Sequence, residues 1–341
     1  MSQSRSRVRL ADVARLAGVS ISAVSRCFTP GASVSAQTQK LVLKAARELG
    51  YQPAFAGKTV GEASVHMVAL SVSNFKNPFY PHLVEHIARA LRLTGYQMLL
   101  FQTEGDARGS MEMEDMLLRV MDYPVDGLLI LNSSLSDSEE NLLRGMNIPV
   151  VMVSRTGLDP MFSAVGSDNH EGGRLAAEAL VKAGCKRIAY MAGLENTSTQ
   201  IEREQGFRAG LAEQGAALFD RVVGHYTDDG ARHATRVLFS KERRPDALFA
   251  ANDLMAMVVM DTLKSEFHLH VPRDLSLVGF GNIPTAAWPS YGLTTIDAGM
   301  QAMAEESVRL LMEQVRSPGG KHQQIRLPVS LIMRSSVRQP S

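Results

Sequence analysis

Cysteine is scarce. The 341 residues hold two, Cys27 and Cys185, far apart and in apolar surroundings. That excludes a disulfide framework and fits a reducing compartment. No run of about 18 apolar residues occurs, so no membrane-spanning helix is expected. The opening MSQSRSRVRL has no apolar segment, so no secretory leader and a cytoplasmic location are expected. Also missing are a P-loop, a G-x-G-x-x-G behind a strand, and a G-x-S-x-G elbow. No enzyme activity and no cofactor are therefore expected. His82-Leu-Val-Glu-His86 does fit H-x-x-E-H, and on a helix its two histidines would share one face. A metal-dependent hydrolase is the remote alternative that this raises. No distal acidic ligand with its own motif accompanies the pair, the other seven histidines are scattered, and no metal is expected.

What is present is an uneven charge. The net value is only +1, but residues 1–62 carry nine Lys/Arg against three Asp/Glu, a net +6. The remaining 279 residues carry 27 against 32, a net −5. A basic head on a mildly acidic body suggests that the head alone meets a polyanion. The length suits two or three domains, and a hydrophobic content of 45% supplies a sizeable core.

The head is organised around LADVARLAGVSISAVSRCFT, residues 10–29. Leu10, Val13, Ala14 and Ala17 form one apolar helical stripe. Gly18 breaks it, and Ser20 is a favoured N-cap for a second short helix. In that helix Ile21, Val24 and Phe28 fall on one face, with Ser22, Ser25, Arg26 and Thr29 on the other. Two short amphipathic helices about a tight glycine turn read as a helix-turn-helix or as a generic helical hairpin. Small polar groups and an arginine facing outward are what a major groove accepts. Ser35 caps a third helix over 36–49, which Gly50 ends. The domain reading is a head over 1–52, a hinge over 53–64 and a body over 65–341. A hinge helix containing Gly57 and Gly61 is too short and too glycine-rich to stand alone.

From residue 66 short apolar runs alternate with amphipathic helical stretches. HMVALSV, YQMLLFQ, VDGLLIL and IPVVMVS form one series, and KRIAYMAG, RVVGHY, DALFAA and LSLVGF a second. Such alternation predicts two parallel-sheet α/β lobes whose strand C-termini face a ligand cleft. The boundaries expected are 65–164 with 297–321 for the first lobe, and 165–296 with 322–341 for the second.

These stretches carry a resemblance. LADVARLAGVSISAVSR, VSAQT and ELGYQP are followed in order by NPFYP, VDGLLI, IPVV, DN-x-x-GG, R-x-x-GF, AND-x-MA, VP-x-DLSLVGF, LTTI and LPVSLI. Together, over about residues 8–336, they resemble the lactose-repressor (LacI/GalR) family of bacterial transcriptional regulators. The resemblance implies a small all-α helix-turn-helix head and an α/β body of two parallel-sheet lobes of the periplasmic-binding-protein type I. It also implies a repressor that binds a palindromic DNA operator as a homodimer under control of a small-molecule effector. No heptad helix follows the last strand, so a dimer rather than a tetramer is expected.

By position, Ile21, Ser22 and Arg26 resemble base-reading residues: a thymine-methyl contact, a versatile hydroxyl and a guanine-reading fork. For Ile21 core packing is the competing reading, and for Arg26 a phosphate contact. Ser20, Ser25 and Ser35 resemble helix caps or phosphate contacts. Val60 stands where many relatives place a leucine wedge in the minor groove, a smaller wedge that weakens the case for strong kinking. In the cleft, Phe79, Tyr80 and Tyr226 resemble walls, and Ser154, Arg155, Arg203 and Asn252 resemble polar contacts. Core packing competes for the aromatics and a surface salt bridge for Arg203. The family's G-[YF]-D-[DN] is here Gly279-Phe280-Gly281-Asn282. Loss of that carboxylate is expected to leave Arg155 and Arg203 facing no nearby acid, favouring a sugar acid or sugar phosphate over a neutral sugar. A transporter's solute-binding protein would share the two-lobe body, but the basic head and the absent leader argue against it.

Overall fold

The computed structural model describes residues 10–27, 32–49, 66–103, 112–131, 135–146, 148–156 and 161–339. They belong to two units, divided after residue 64. The hinge, with Gly57, Val60 and Gly61, lies outside the described residues, as do Phe28, Thr29 and Gly50.

In the first unit α1 (Leu10–Ala17), α2 (Ile21–Cys27) and α3 (Ala36–Leu49) enclose a small core of Val13, Ala14, Val24, Val42, Ala45 and Ala46. Gly18 turns the chain between α1 and α2 at φ +66°, a left-handed conformation that glycine adopts without steric penalty. Both expected caps form. The Ser20 hydroxyl accepts the Ala23 N–H at 3.2 Å, and the Ser35 hydroxyl accepts the Thr38 N–H at 3.2 Å. One expectation reverses: Ile21 does not share the buried face of Val24 but is 55% exposed. Ile21 stands on the first turn of α2, where of the two readings core packing fails and exposure holds.

The second unit holds two six-stranded sheets. In chain order its elements are β1 (Met67–Val72), α4 (Phe79–Leu93), β2 (Gln97–Gln102), α5 (Met113–Val120), β3 (Gly127–Leu131), α6 (Asp137–Gly145), β4 (Val150–Val153) and β5 (Ser163–Ser167). There follow α7 (Asn169–Lys182), β6 (Ile188–Ala192), α8 (Ser198–Glu213), β7 (Asp220–Val223), α9 (Asp228–Phe239), β8 (Ala247–Ala250), α10 (Asp253–Glu266) and β9 (Ser276–Gly281). Last come β10 (Thr294–Asp297), α11 (Met300–Arg316), β11 (Gln324–Leu327) and β12 (Ser330–Ile332). The first sheet, in the order β11-β5-β4-β3-β1-β2, is parallel throughout. The second, β12-β10-β9-β8-β6-β7, is parallel except for β12, which runs antiparallel to β10.

Strand alternation sorts the first core onto two faces. Val68, Leu70 and Val72 pack with α4 and α11, while Ala69 joins Leu128, Ile130 and α5 on the other face. Both faces are covered, as a parallel sheet requires. The second lobe centres on Tyr190, Phe207 and Phe249, whose ring centroids lie 5.0–5.6 Å apart.

Two strands were not expected. β5 (SAVGS) and β10 (TTID) lack apolar runs, yet nine-tenths or more of each residue is buried in all but Asp297. Their hydroxyls bond inside the protein: Gln314 and the Gln323 N–H donate to the Ser163 hydroxyl, which thus closes β5 onto the tail. The lobe boundaries shift accordingly. A division at 164/165 cuts through β5, which belongs wholly to the first sheet, and β11, expected in the second lobe, pairs with β5. The chain therefore passes between sheets three times, after β5, after β10 and after β11.

The DN-x-x-GG and R-x-x-GF stretches have a packing cause. α7 and α8 touch backbone to backbone. A Cβ at Gly206 would lie 1.8 Å from the His170 carbonyl oxygen, and one at Gly173 would lie 2.2 Å from the Arg203 carbonyl oxygen. Gly206→Ala should therefore destabilise the body by about 3 kcal/mol or more, since neither helix backbone can yield. Gly145→Ala, at a helix end with open space around it, should be neutral or stabilising by up to about 1 kcal/mol. Urea unfolding of the two variants against the parent checks the contrast.

Candidate functional site

Two surfaces bear on function, one on each unit. On the head, capping at Ser20 holds Ile21, Ser22, Ser25 and Arg26 exposed along α2, while Val24 faces inward. The Ser20 hydroxyl also sits 3.0 Å from that of Ser22, and Ser35 lies 2.8 Å from the Thr38 hydroxyl. An apolar branch, hydroxyls and a guanidinium side by side are the groups that read base edges and phosphates. Val60 lies outside the described residues.

On the body, a cavity of about 320 Å³ opens between the C-terminal ends of the two sheets. All seven residues singled out from the sequence line it: Phe79, Tyr80, Ser154, Arg155, Arg203, Tyr226 and Asn252. They arrive on different elements. Phe79 and Tyr80 begin α4, held by Asn77, whose side-chain oxygen accepts the Phe79 N–H at 3.1 Å. The two rings meet edge to face at 5.5 Å. Ser154 and Arg155 follow β4, and Arg155 is only 4% exposed.

From the second lobe comes Arg203, on α8. Its Nε donates to the Asn169 side-chain oxygen at 2.8 Å and its Nη1 to the Ala251 carbonyl at 2.6 Å. Its guanidinium lies 3.6 Å from the centre of the Phe280 ring. The competing surface salt bridge does not form: among the described residues Arg203 holds neutral acceptors and an aromatic face. A guanidinium so placed is rigid and still carries an unneutralised charge. Asn252 caps α10. Its Oδ1 accepts the Met255 N–H at 2.9 Å, which fixes the amide. Its Nδ2 is buried with no partner among the described residues, and so is the Tyr226 hydroxyl. Each is a polar group that a ligand could satisfy.

Backbone strain gathers at the same place. Ser154 has φ +74°, His225 +55°, Tyr226 +59° and Asn282 +54°, each just past the end of a strand. Non-glycine residues held there are costly and cluster where a site is preorganised. Tyr226 reaches the cavity because Gly193 gives room: a Cβ there would lie 2.0 Å from its ring.

One expectation is corrected. The two arginines do not face a cleft without acid, because Asp253 and Glu112 line the same cavity. A Cβ at Gly281 would lie 3.5 Å from the Asp253 Oδ2. Asp253 is 1% exposed, and burial pushes its carboxyl up to about 6 against the hydrogen bonds that favour its ionised form. Those come from the Thr295 hydroxyl and, at 2.9 Å, the Ile283 N–H. Its oxygens brace the loop after β9, so this acid is tied to the scaffold, whereas Glu112, exposed just before α5, lines the cavity as a second acid. The AND motif held the signal for Asp253, immediately beside Asn252. Phe280, the platform under Arg203, reads in sequence as one more apolar strand residue. Among the described residues no group of three or more His, Cys, Asp or Glu could hold a metal ion, and His82 and His86 lie on α4. No helix among the described residues is long and apolar enough to cross a membrane.

The chain matches known proteins over nearly its whole length. Residues 9–54 match the family described as bacterial regulatory proteins, lacI family, and residues 158–337 match a periplasmic binding protein-like domain. The ribose operon repressor of Escherichia coli (strain K12) is 32% identical over 95% of this chain and 98% of its own length. Among solved structures, a transcriptional regulator CelR–cellobiose complex is 30% identical with a TM-score of 0.72, covering 97% of this chain and 100% of that one. A lac repressor dimer bound to operator and the anti-inducer ONPF is 25% identical with a TM-score of 0.76, covering 98% and 100%. Family motifs, helical head and paired parallel sheets agree, and the chain belongs to the lacI family of bacterial regulatory proteins.

Proposed function

We infer that this DNA-binding transcriptional regulator is a cytoplasmic repressor. It binds a palindromic operator as a homodimer and is controlled by a small molecule held between the lobes of its body. The observation that carries the reading is the exposed face of α2, where Ile21, Ser22, Ser25 and Arg26 stand clear of a core that Val24 fills. A solute-binding protein has no use for such a head. One short recognition helix reads too few base pairs for genomic specificity, and a two-fold dimer doubles the count.

The effector we propose is a sugar acid or sugar phosphate, with a neutral sugar as runner-up. What favours an anion is the Arg203 guanidinium, which lines the cleft on neutral acceptors without an ion pair among the described residues. Aromatic walls with a few fixed polar groups are the usual form of a small-molecule site. Ligand binding would bias the angle between lobes and so operator affinity, by no more than its differential affinity for the two arrangements.

Arg26→Ala should lower the preference for operator over random DNA by about 1–3 kcal/mol while low-salt non-specific binding survives. Competition binding checks this, and unchanged discrimination sinks the assignment. Sedimentation at micromolar concentration should give a dimer; a stable monomer or tetramer contradicts it. In a thermal-shift screen, sugar acids or sugar phosphates should raise the melting temperature of the parent, and Arg203→Ala should respond less. Stabilisation by a neutral sugar alone, or an undiminished response in the variant, overturns the anionic effector.

A further inference from the structure

The three passages between sheets are tied to one another. The Ser167 hydroxyl, at the first, donates to the Ala298 carbonyl, at the second, at 2.7 Å. The Asp168 N–H donates to the Leu327 carbonyl, at the third, at 2.8 Å. Asn169 follows directly, as the first residue of α7, and is 3% exposed. Its Nδ2 donates to the Ser167 carbonyl at 3.1 Å and to the Glu202 carboxylate at 3.4 Å, and its Oδ1 accepts from Arg203. The other Glu202 oxygen accepts from Arg326 at 2.9 Å. Arg326 sits on β11, an edge strand of the first sheet, whereas Glu202 sits on α8 of the second lobe. The sequence Arg326–Glu202–Asn169–Arg203 therefore runs from the first lobe, past the crossover, to a side chain that lines the cleft. Arg326, Glu202 and Asn169 do not themselves line it.

We propose that Asn169 and Glu202 are positioning residues that couple the seating of Arg203 in the cleft to the Arg326 contact between the lobes. A half-exposed ion pair by itself contributes little. This one differs because the buried amide of Asn169 is fixed at both ends. It accepts from Arg203 with its oxygen and meets Glu202 with its nitrogen, so neither end shifts without re-sorting the other. The α7–α8 contact at Gly173 and Gly206 leaves no slack for the helices to absorb the movement. Rotation of the lobes carries Arg326 away from Glu202. The freed carboxylate then draws the Asn169 Nδ2 away from the Ser167 carbonyl, and the turned amide shifts the oxygen that holds Arg203. Conversely, a ligand that draws Arg203 off Asn169 loosens the contact between lobes. The coupling rests on this geometry whether or not the ligand is an anion.

The test is amide hydrogen exchange of the full chain, with no ligand added, in Arg326→Met. Peptides over 324–327 and 199–206 will exchange faster in any case, because they lose a direct contact. The proposal is read at 249–256, where Arg203 holds the Ala251 carbonyl. Exchange there should rise by about two- to tenfold, Arg326→Lys should restore it, and thermal unfolding should stay cooperative. In an Asn169→Asp background, which keeps the acceptor for Arg203 but removes the donor to Glu202, adding Arg326→Met should leave 249–256 unchanged. Arg326→Gln, read in the same way, guards against misfolding of the Met variant. Acceleration confined to 324–327 and 199–206 overturns the proposal, and so does an equal effect at 249–256 in the Asn169→Asp background.

Discussion

The body depends on the contact between α7 and α8. Gly173 and Gly206 let the two helix backbones meet at a separation where any side chain would collide with a carbonyl. That approach delivers Arg203 to the cleft, since its own carbonyl is one of the atoms in contact. It also seats the Phe207 ring against Tyr190 and Phe249 in the second core. A looser pair would leave the guanidinium short of Ala251 and Phe280.

Around that contact the site follows from parallel-sheet geometry. Each strand ends at the same side of its sheet, so the residues just past the strands converge. Ser154 after β4, Tyr226 after β7, Asn252 after β8 and Phe280 near the end of β9 are thus neighbours without being close in sequence. Positive φ values at Ser154, Tyr226 and Asn282 mark where the chain is bent to aim those groups. The strain persists because buried strands on one side and helix caps on the other fix the loops.

Much of this was legible beforehand. Strand–helix alternation announces two parallel sheets, because buried strands must be apolar on both faces. The cleft residues were legible through motifs that recur in one order. The strands β5 and β10 were not, because their burial rests on serine and threonine hydroxyls bonded internally, which hydropathy scores as polar. The side of Ile21 stayed open between core and groove, because a three-residue apolar spacing at the start of a seven-residue helix does not decide which edge packs.

The sequence by itself determined the head's three helices, its basic charge, the two-lobe α/β body and the family, since periodicity, capping residues and ordered motifs are local properties. Tertiary structure alone decided which groups stand available in the cleft. That Asp253 braces a loop instead of opposing the arginines follows from Thr295 and Ile283 reaching it across the sheet. That Arg203 faces neutral acceptors follows from where Asn169 and Ala251 fall in space. Hydrogen-bond partners distant in sequence set these outcomes, and no local pattern encodes them.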